Sequence, residues 1–263
     1  MTGRGFAGLA VAIGIVLAAP ASAGAAQCFG ETVTISGTSG SDVLLGTSGR
    51  DVINAKEGVD IIRARGEDDV ICSGPGFDRS RGGAGDDVLY DPDHFNESEA
   101  RGGSGDDDIY GNSLSIGGAG ADRLRADFFE SPVGVNEVHG GDGPDVIMGS
   151  NPQTFGRLEE IYGGDGDDVI KVLHASSTVY AGRGDDVVRS FFTDFVGNYV
   201  FFGQSGDDVL VGGNLDDEIY GGSGDDFIDG NGDEADTGGI GDICDGQDGE
   251  NIVLDCELSP TRG

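Results

Sequence analysis

Aspartate recurs at a fixed interval in the first third of the chain: Asp42, Asp51, Asp60, Asp69, Asp78 and Asp87 stand nine residues apart. Two residues after each comes Leu44, Ile53, Ile62, Ile71, Ser80 or Leu89, and two before each comes glycine, except at Glu67. Residues 37–90 therefore divide into GTSGSDVLL, GTSGRDVIN, AKEGVDIIR, ARGEDDVIC, SGPGFDRSR and GGAGDDVLY, with the aspartate at position six. Carboxylates brought together by such a repeat repel one another, and a hard divalent cation with oxygen ligands removes the repulsion. A donor set of carboxylates and backbone carbonyls suits calcium better than magnesium or zinc.

The elements that must position these carboxylates follow from the rest of the block. Its glycines permit positive φ and close backbone approach, so the first six residues form a tight turn that exposes carbonyl oxygens. The last three residues suffice only for a short strand, pointing position eight inward and positions seven and nine outward. Two blocks make one flattened coil. Coils stacked at the strand spacing of about 4.8 Å bring each turn against the second turn after it, which lines up the aspartates along an edge.

This pattern resembles the RTX, or haemolysin-type, nonapeptide repeat GGxGxDxUx. The resemblance implies an all-β chain folded as a right-handed parallel β-roll (a β-solenoid), with several calcium ions held between same-side turns by position-six carboxylates and turn carbonyls. Low complexity alone does not account for the pattern, because it gives no reason for an aliphatic residue to keep phase with an aspartate two positions before it.

After Tyr90 the motif returns with Asp107, Asp122, Asp145, Asp168, Asp186 and Asp208, at intervals from Asp87 of 20, 15, 23, 23, 18 and 22 residues. These scatter around a whole coil instead of half a coil. One edge then keeps its turns throughout, carrying Asp51, Asp69, Asp87, Asp107, Asp122, Asp145, Asp168, Asp186, Asp208 and Asp226. The other has Asp42, Asp60 and Asp78, then variable loops, then Asp217. Just before the returning motifs stand Ala100, Ser115, Val138, Ile161, Val179 and Phe201, expected to point inward from the facing strand. The core is thus expected to continue past Tyr90 through roughly ten coils, a rod about 50 Å long.

Residues 1–26 read as a secretory leader, with Arg4, an apolar run from Gly8 to Ala19, and a cut after Ala23 or Ala26; the run is too short to span a bilayer. Residues 27–36 form an N-terminal cap, 37–229 the roll with loop insertions on one edge, and 230–263 a C-terminal cap in which TGGIGDICD and GQDGENIVL are weakened repeats. Asp229, Asn231 and Asp233 imitate an EF-hand start, but Glu234 and Ile240 stand where Gly and Glu belong. Four cysteines allow three pairings, among which the sequence does not choose; Cys28 with Cys72 and Cys244 with Cys256 is the expectation, one staple at each end. No pair has zinc-ligand spacing.

A net charge of −34 makes nucleic acid an unsuitable partner. No nucleophile elbow, paired histidines or dinucleotide fingerprint is present among the three histidines and 51 glycines. Aspartate pairs such as Asp167-Asp168 recur with the repeat, unlike a catalytic pair. The sequence therefore points to a secreted, calcium-binding protein without catalysis, structural or adhesive in role. The rival reading is an enzyme acting on polysaccharide along the side of the roll. Nine of the thirteen phenylalanines fall in the inserts at 91–101, 126–139, 149–162 and 190–202, either as lids over a thin core or as a face for a polysaccharide or surface protein. Phe191 and Phe192 discriminate between the two, exposed rings beside Phe128 or Phe129 favouring the binding face.

Overall fold

The computed structural model describes residues 27–91, 98–111, 114–126, 135–150, 158–173, 177–191, 198–231 and 242–256. The leader, Phe95, Phe128, Phe129, Phe155, Phe192, Phe195, His94, His174, Asp233, Glu234 and Ile240 lie outside them.

Among the described residues, two long parallel sheets take alternate strands of the chain. One has eleven strands, from Val43–Leu45 to Ile243–Asp248; the other has twelve, from Ile35–Ser36 to Ile252–Leu254. Each strand pairs with the second strand after it, as blocks of nine demand. Ile53 lies opposite Ile71 and Leu44 opposite Ile62, one coil apart. Every strand in these sheets pairs in parallel, so the chain is an all-β parallel β-roll. Among the described residues only the hairpin of Gln27–Cys28 with Glu31–Thr32 is antiparallel. No described helix is long and apolar enough to cross a membrane.

The core lies between the sheets and takes one side chain from most strands, two from Ile61–Gly66, Val169–Val172 and Ser177–Arg183, and none from Ile252–Leu254. Leu44, Ile53, Ile62, Ile71, Leu89, Ile109, Leu124, Ile147, Ile170, Val188 and Leu210 are all within 1 % of complete burial. Ala100, Ser115, Val138, Ile161, Val179 and Phe201 are equally buried on the facing strands, so the core does run on past Tyr90. Disulfides Cys28–Cys72 and Cys244–Cys256 join their partners at Cα separations of 5.9 Å, one near each end.

Close stacking of the turns favours glycine at most rungs, although Lys56, Arg65, Gln204 and Gln247 hold the same turn position with positive φ. At Gly164, φ is +122°, and a β-carbon there would lie 2.0 Å from the Gly141 carbonyl oxygen of the preceding coil. Gly164→Ala should therefore lower unfolding free energy in calcium by about 3 kcal/mol, combining backbone strain with overlap between rungs. Gly40→Ala is the comparison, since the nearest atom to its new methyl is 3.9 Å away. Denaturant unfolding should show a loss there below about 1 kcal/mol.

Candidate metal centre

The continuous edge is held in register by one hydrogen bond repeated from coil to coil. The backbone N–H of Asp51 donates to Asp69 Oδ1 at 2.6 Å, Asp69 to Asp87 at 2.8 Å and Asp87 to Asp107 at 2.8 Å. The chain of bonds continues through Asp122, Asp145, Asp168, Asp186, Asp208 and Asp226. It ends where Asp226 N–H donates to Asn251 Oδ1, so the weakened last repeat still fills the position. All ten aspartates expected on this edge stand in one column. The irregular spacing after Tyr90 is absorbed elsewhere.

The opposite edge begins in the same way, Asp42 N–H donating to Asp60 Oδ1 and Asp60 N–H to Asp78 Oδ1. Ser98 then replaces aspartate: its hydroxyl accepts from Asp78 N–H at 3.1 Å and donates to the Gly76 carbonyl at 3.0 Å. Further along, Asn136, Glu159, Ser177 and Tyr199 occupy the equivalent buried places, each two residues before an inward side chain. Glu159 Oε1 accepts from Ser150 N–H at 2.7 Å and Oε2 from Ser177 Oγ at 2.9 Å, which ties the edge across two coils. Tyr199 N–H donates to Asp217 Oδ1, and Asp217 N–H to Asp242 Oδ1, restoring the carboxylate column. The repeat pattern marks Asp217 and the degenerate Asp242 but not the five substitutes. Their only signal in the sequence is the phase of the inward residue that follows.

A second ladder is not visible in the repeat pattern. Position-five Asp167 is exposed as expected, yet its Oδ1 accepts from Asp185 N–H at 2.9 Å, and Asp185 accepts in turn from Asp207 N–H. The recurring aspartate pair thus serves two columns, one exposed and one buried.

The buried column leaves oxygen atoms turned into the protein. Oδ2 of Asp69, Asp87, Asp107, Asp122, Asp145, Asp168, Asp186, Asp208 and Asp226, and of Asp60 on the other edge, is buried without a hydrogen-bond partner. Glycine at position one lies beside such oxygens. A β-carbon on Gly163 would sit 2.3 Å from Asp168 Oδ2 and 2.2 Å from the Ala181 carbonyl oxygen of the next coil. Gly140 repeats this with Asp145 Oδ2 and the Gly163 carbonyl, and Gly203 with Asp208 Oδ2 and the Gly221 carbonyl. Carboxylate and carbonyl oxygens from successive coils therefore converge beside each of these glycines, closer than a methyl group could approach. No three His, Cys, Asp or Glu side chains converge among the described residues, so a cation on this edge draws on carbonyls as well as carboxylates. That mixture of oxygen donors fits calcium.

The profile of the RTX calcium-binding nonapeptide repeat (4 copies) matches residues 36–71, 73–91, 100–113, 133–151, 162–190 and 202–234, together more than half of the chain. No curated protein sequence matches it.

Without metal, burial dominates the electrostatics of the column. It pushes Asp107 and Asp186 up to about 8 and Asp87 and Asp145 up to about 7, from an ordinary 3.8. The backbone N–H that each accepts works against this, and neighbouring carboxylates add to it. A folded state with raised aspartate pKa values holds protons that the unfolded chain has released, so its stability falls as pH rises from about 4 through about 8. Chelated protein should accordingly show a higher denaturation midpoint at about pH 5 than at about pH 8. A higher midpoint at the alkaline end contradicts the burial of this column.

Proposed function

Because the chain belongs to the RTX calcium-binding nonapeptide-repeat family, it is a calcium-binding β-roll protein, and we propose that it is secreted and acts as a structural or adhesive binding protein whose fold depends on calcium. The observation that carries this reading is the column of partnerless Oδ2 atoms, bordered by carbonyl oxygens of the next coil. The ligand set is the position-six aspartates: Asp51, Asp69, Asp87, Asp107, Asp122, Asp145, Asp168, Asp186, Asp208 and Asp226 on one edge, and Asp42, Asp60, Asp78 and Asp217 on the other. Bound calcium supplies the positive charge that offsets these carboxylates. The aspartate amides and turn glycines do the rest, orienting each carboxylate and keeping side chains out of the space beside it.

Two disulfides support an extracellular setting, where they persist and calcium is plentiful. The division that accompanies this reading is a leader over 1–26, a cap over 27–36, the roll over 37–229 and a closing segment over 230–263. Phe191 is 56 % exposed, with Lys171 Nζ 5.9 Å from its ring centre, while Phe192, Phe128 and Phe129, on which the choice between lid and binding face also turns, lie outside the described residues.

Titrating chelated protein with calcium should produce a cooperative gain of β-type circular dichroism, with a midpoint on the order of 0.1–1 mM. A spectrum unchanged by exhaustive chelation contradicts the proposal. Asp168→Ala should cost bound calcium and shift that midpoint upward, because its carboxylate serves a middle rung of the continuous column. Asp167→Ala, which removes one exposed hydrogen bond, should do much less. Equal calcium losses in the two variants, measured by equilibrium dialysis, refute the assignment of position six.

A further inference from the structure

On the outer face of the eleven-stranded sheet, position nine builds a ladder of rings. His139, Tyr162, Tyr180, Phe202 and Tyr220 stack at centroid distances of 4.5, 5.0, 5.1 and 5.1 Å, with planes within 9° of parallel. Inside the ladder each ring covers its neighbours, so no face is available to a ligand. The exceptions are the two ends: His139, whose outer register partner Ile116 carries no ring, and Tyr220. Tyr220 stacks on Phe202 on one side, and on the other its register partner is Asp245, which carries no ring. The Asp245 carboxylate is engaged locally, accepting from Gln247 N–H at 3.0 Å.

Beside this ring lies a cleft of about 230 Å³, bordered by Tyr220, Gln204, Gly222, Ser223, Gln247 and Asp248, with Phe202 behind. Its two amide walls come from an exception to the turn rule. Gln204 and Gln247 take position two, where Gly222 stands between them, and they adopt φ of +77° and +58°. That conformation disfavours residues with a β-carbon. Lys56 and Arg65 also take it near the other end, so the turn tolerates a side chain there. At the cleft, two such side chains flank a residue that has none.

We propose that this cleft binds one neutral pyranose unit of a glycan. The C–H face of the sugar would stack on Tyr220, and vicinal hydroxyls would meet the Gln204 and Gln247 amides and the Asp248 carboxylate. An acidic sugar is disfavoured by Asp248 and by a chain of net charge −34. The polar walls are positions two and three of the turns that carry Asp208, Asp226 and Asn251, so the cleft depends on calcium through the folding of those turns.

The test uses full-length, calcium-loaded protein titrated with cello-, malto-, manno- and galacto-oligosaccharides, with oligogalacturonate as the anionic comparator, read by saturation-transfer NMR and calorimetry. At least one neutral series should bind, and Tyr220→Ala should weaken it tenfold or more with circular dichroism unchanged. The double variant Gln204→Gly/Gln247→Gly is the sharper arm. Glycine suits the turn, so the variant should unfold at the same or a higher temperature while binding falls tenfold or more. Binding by oligogalacturonate alone, no transfer to any neutral sugar, or undiminished affinity in the double variant overturns the proposal.

Discussion

The hydrogen bond from one aspartate amide to the carboxylate one coil away organises this molecule. It sets the register of the turns and fixes each side chain against the edge, and in doing so it buries a negative charge beside the next at every rung. A column of this kind cannot close on protein groups alone, because at every aspartate rung of the continuous edge from Asp69 to Asp226 one carboxylate oxygen is left with no donor, and only at Asp51 does an N–H, that of Thr47, fill the place. The same geometry that makes the roll regular therefore makes it depend on protons or on a cation.

That constraint explains the difference between the edges. Along the continuous edge nothing interrupts the column, so the glycines that keep the adjoining space open recur with it. Along the other, Ser98, Asn136, Glu159, Ser177 and Tyr199 replace aspartate in the middle coils, and the chain between them is released from the repeat. Ser98 and Glu159 satisfy their own hydrogen bonds there, which removes the orphaned oxygen and the reason for a cation.

Much of the fold and of the metal edge is legible in the amino-acid sequence, which encodes them in strict phase. A period of nine with an aliphatic residue two after an aspartate dictates two sheets, a single inward row on each and an edge of carboxylates, and those elements stand where the phase puts them. Asp122, reached after an interval of 15 residues, and Asp145, after 23, occupy adjacent rungs, so the phase survives insertion. What is not legible depends on contacts across coils. The exposed ladder of Asp167, Asp185 and Asp207 looks in sequence like surplus charge. The ring ladder from His139 to Tyr220 is spread over 82 residues of irregular spacing, and no local pattern predicts that its members stack.

If the orphaned oxygens hold cations, these fill the continuous edge in an unbroken row and the opposite edge only where its aspartates remain. Anomalous scattering from a calcium-soaked crystal measures this most directly. The expected result is a row of peaks beside position-one glycines such as Gly140, Gly163 and Gly203, one per rung, with a gap on the opposite edge from Ser98 to Tyr199. Peaks of equal density along both edges, or none beside Asp145, Asp168 and Asp186, contradict it.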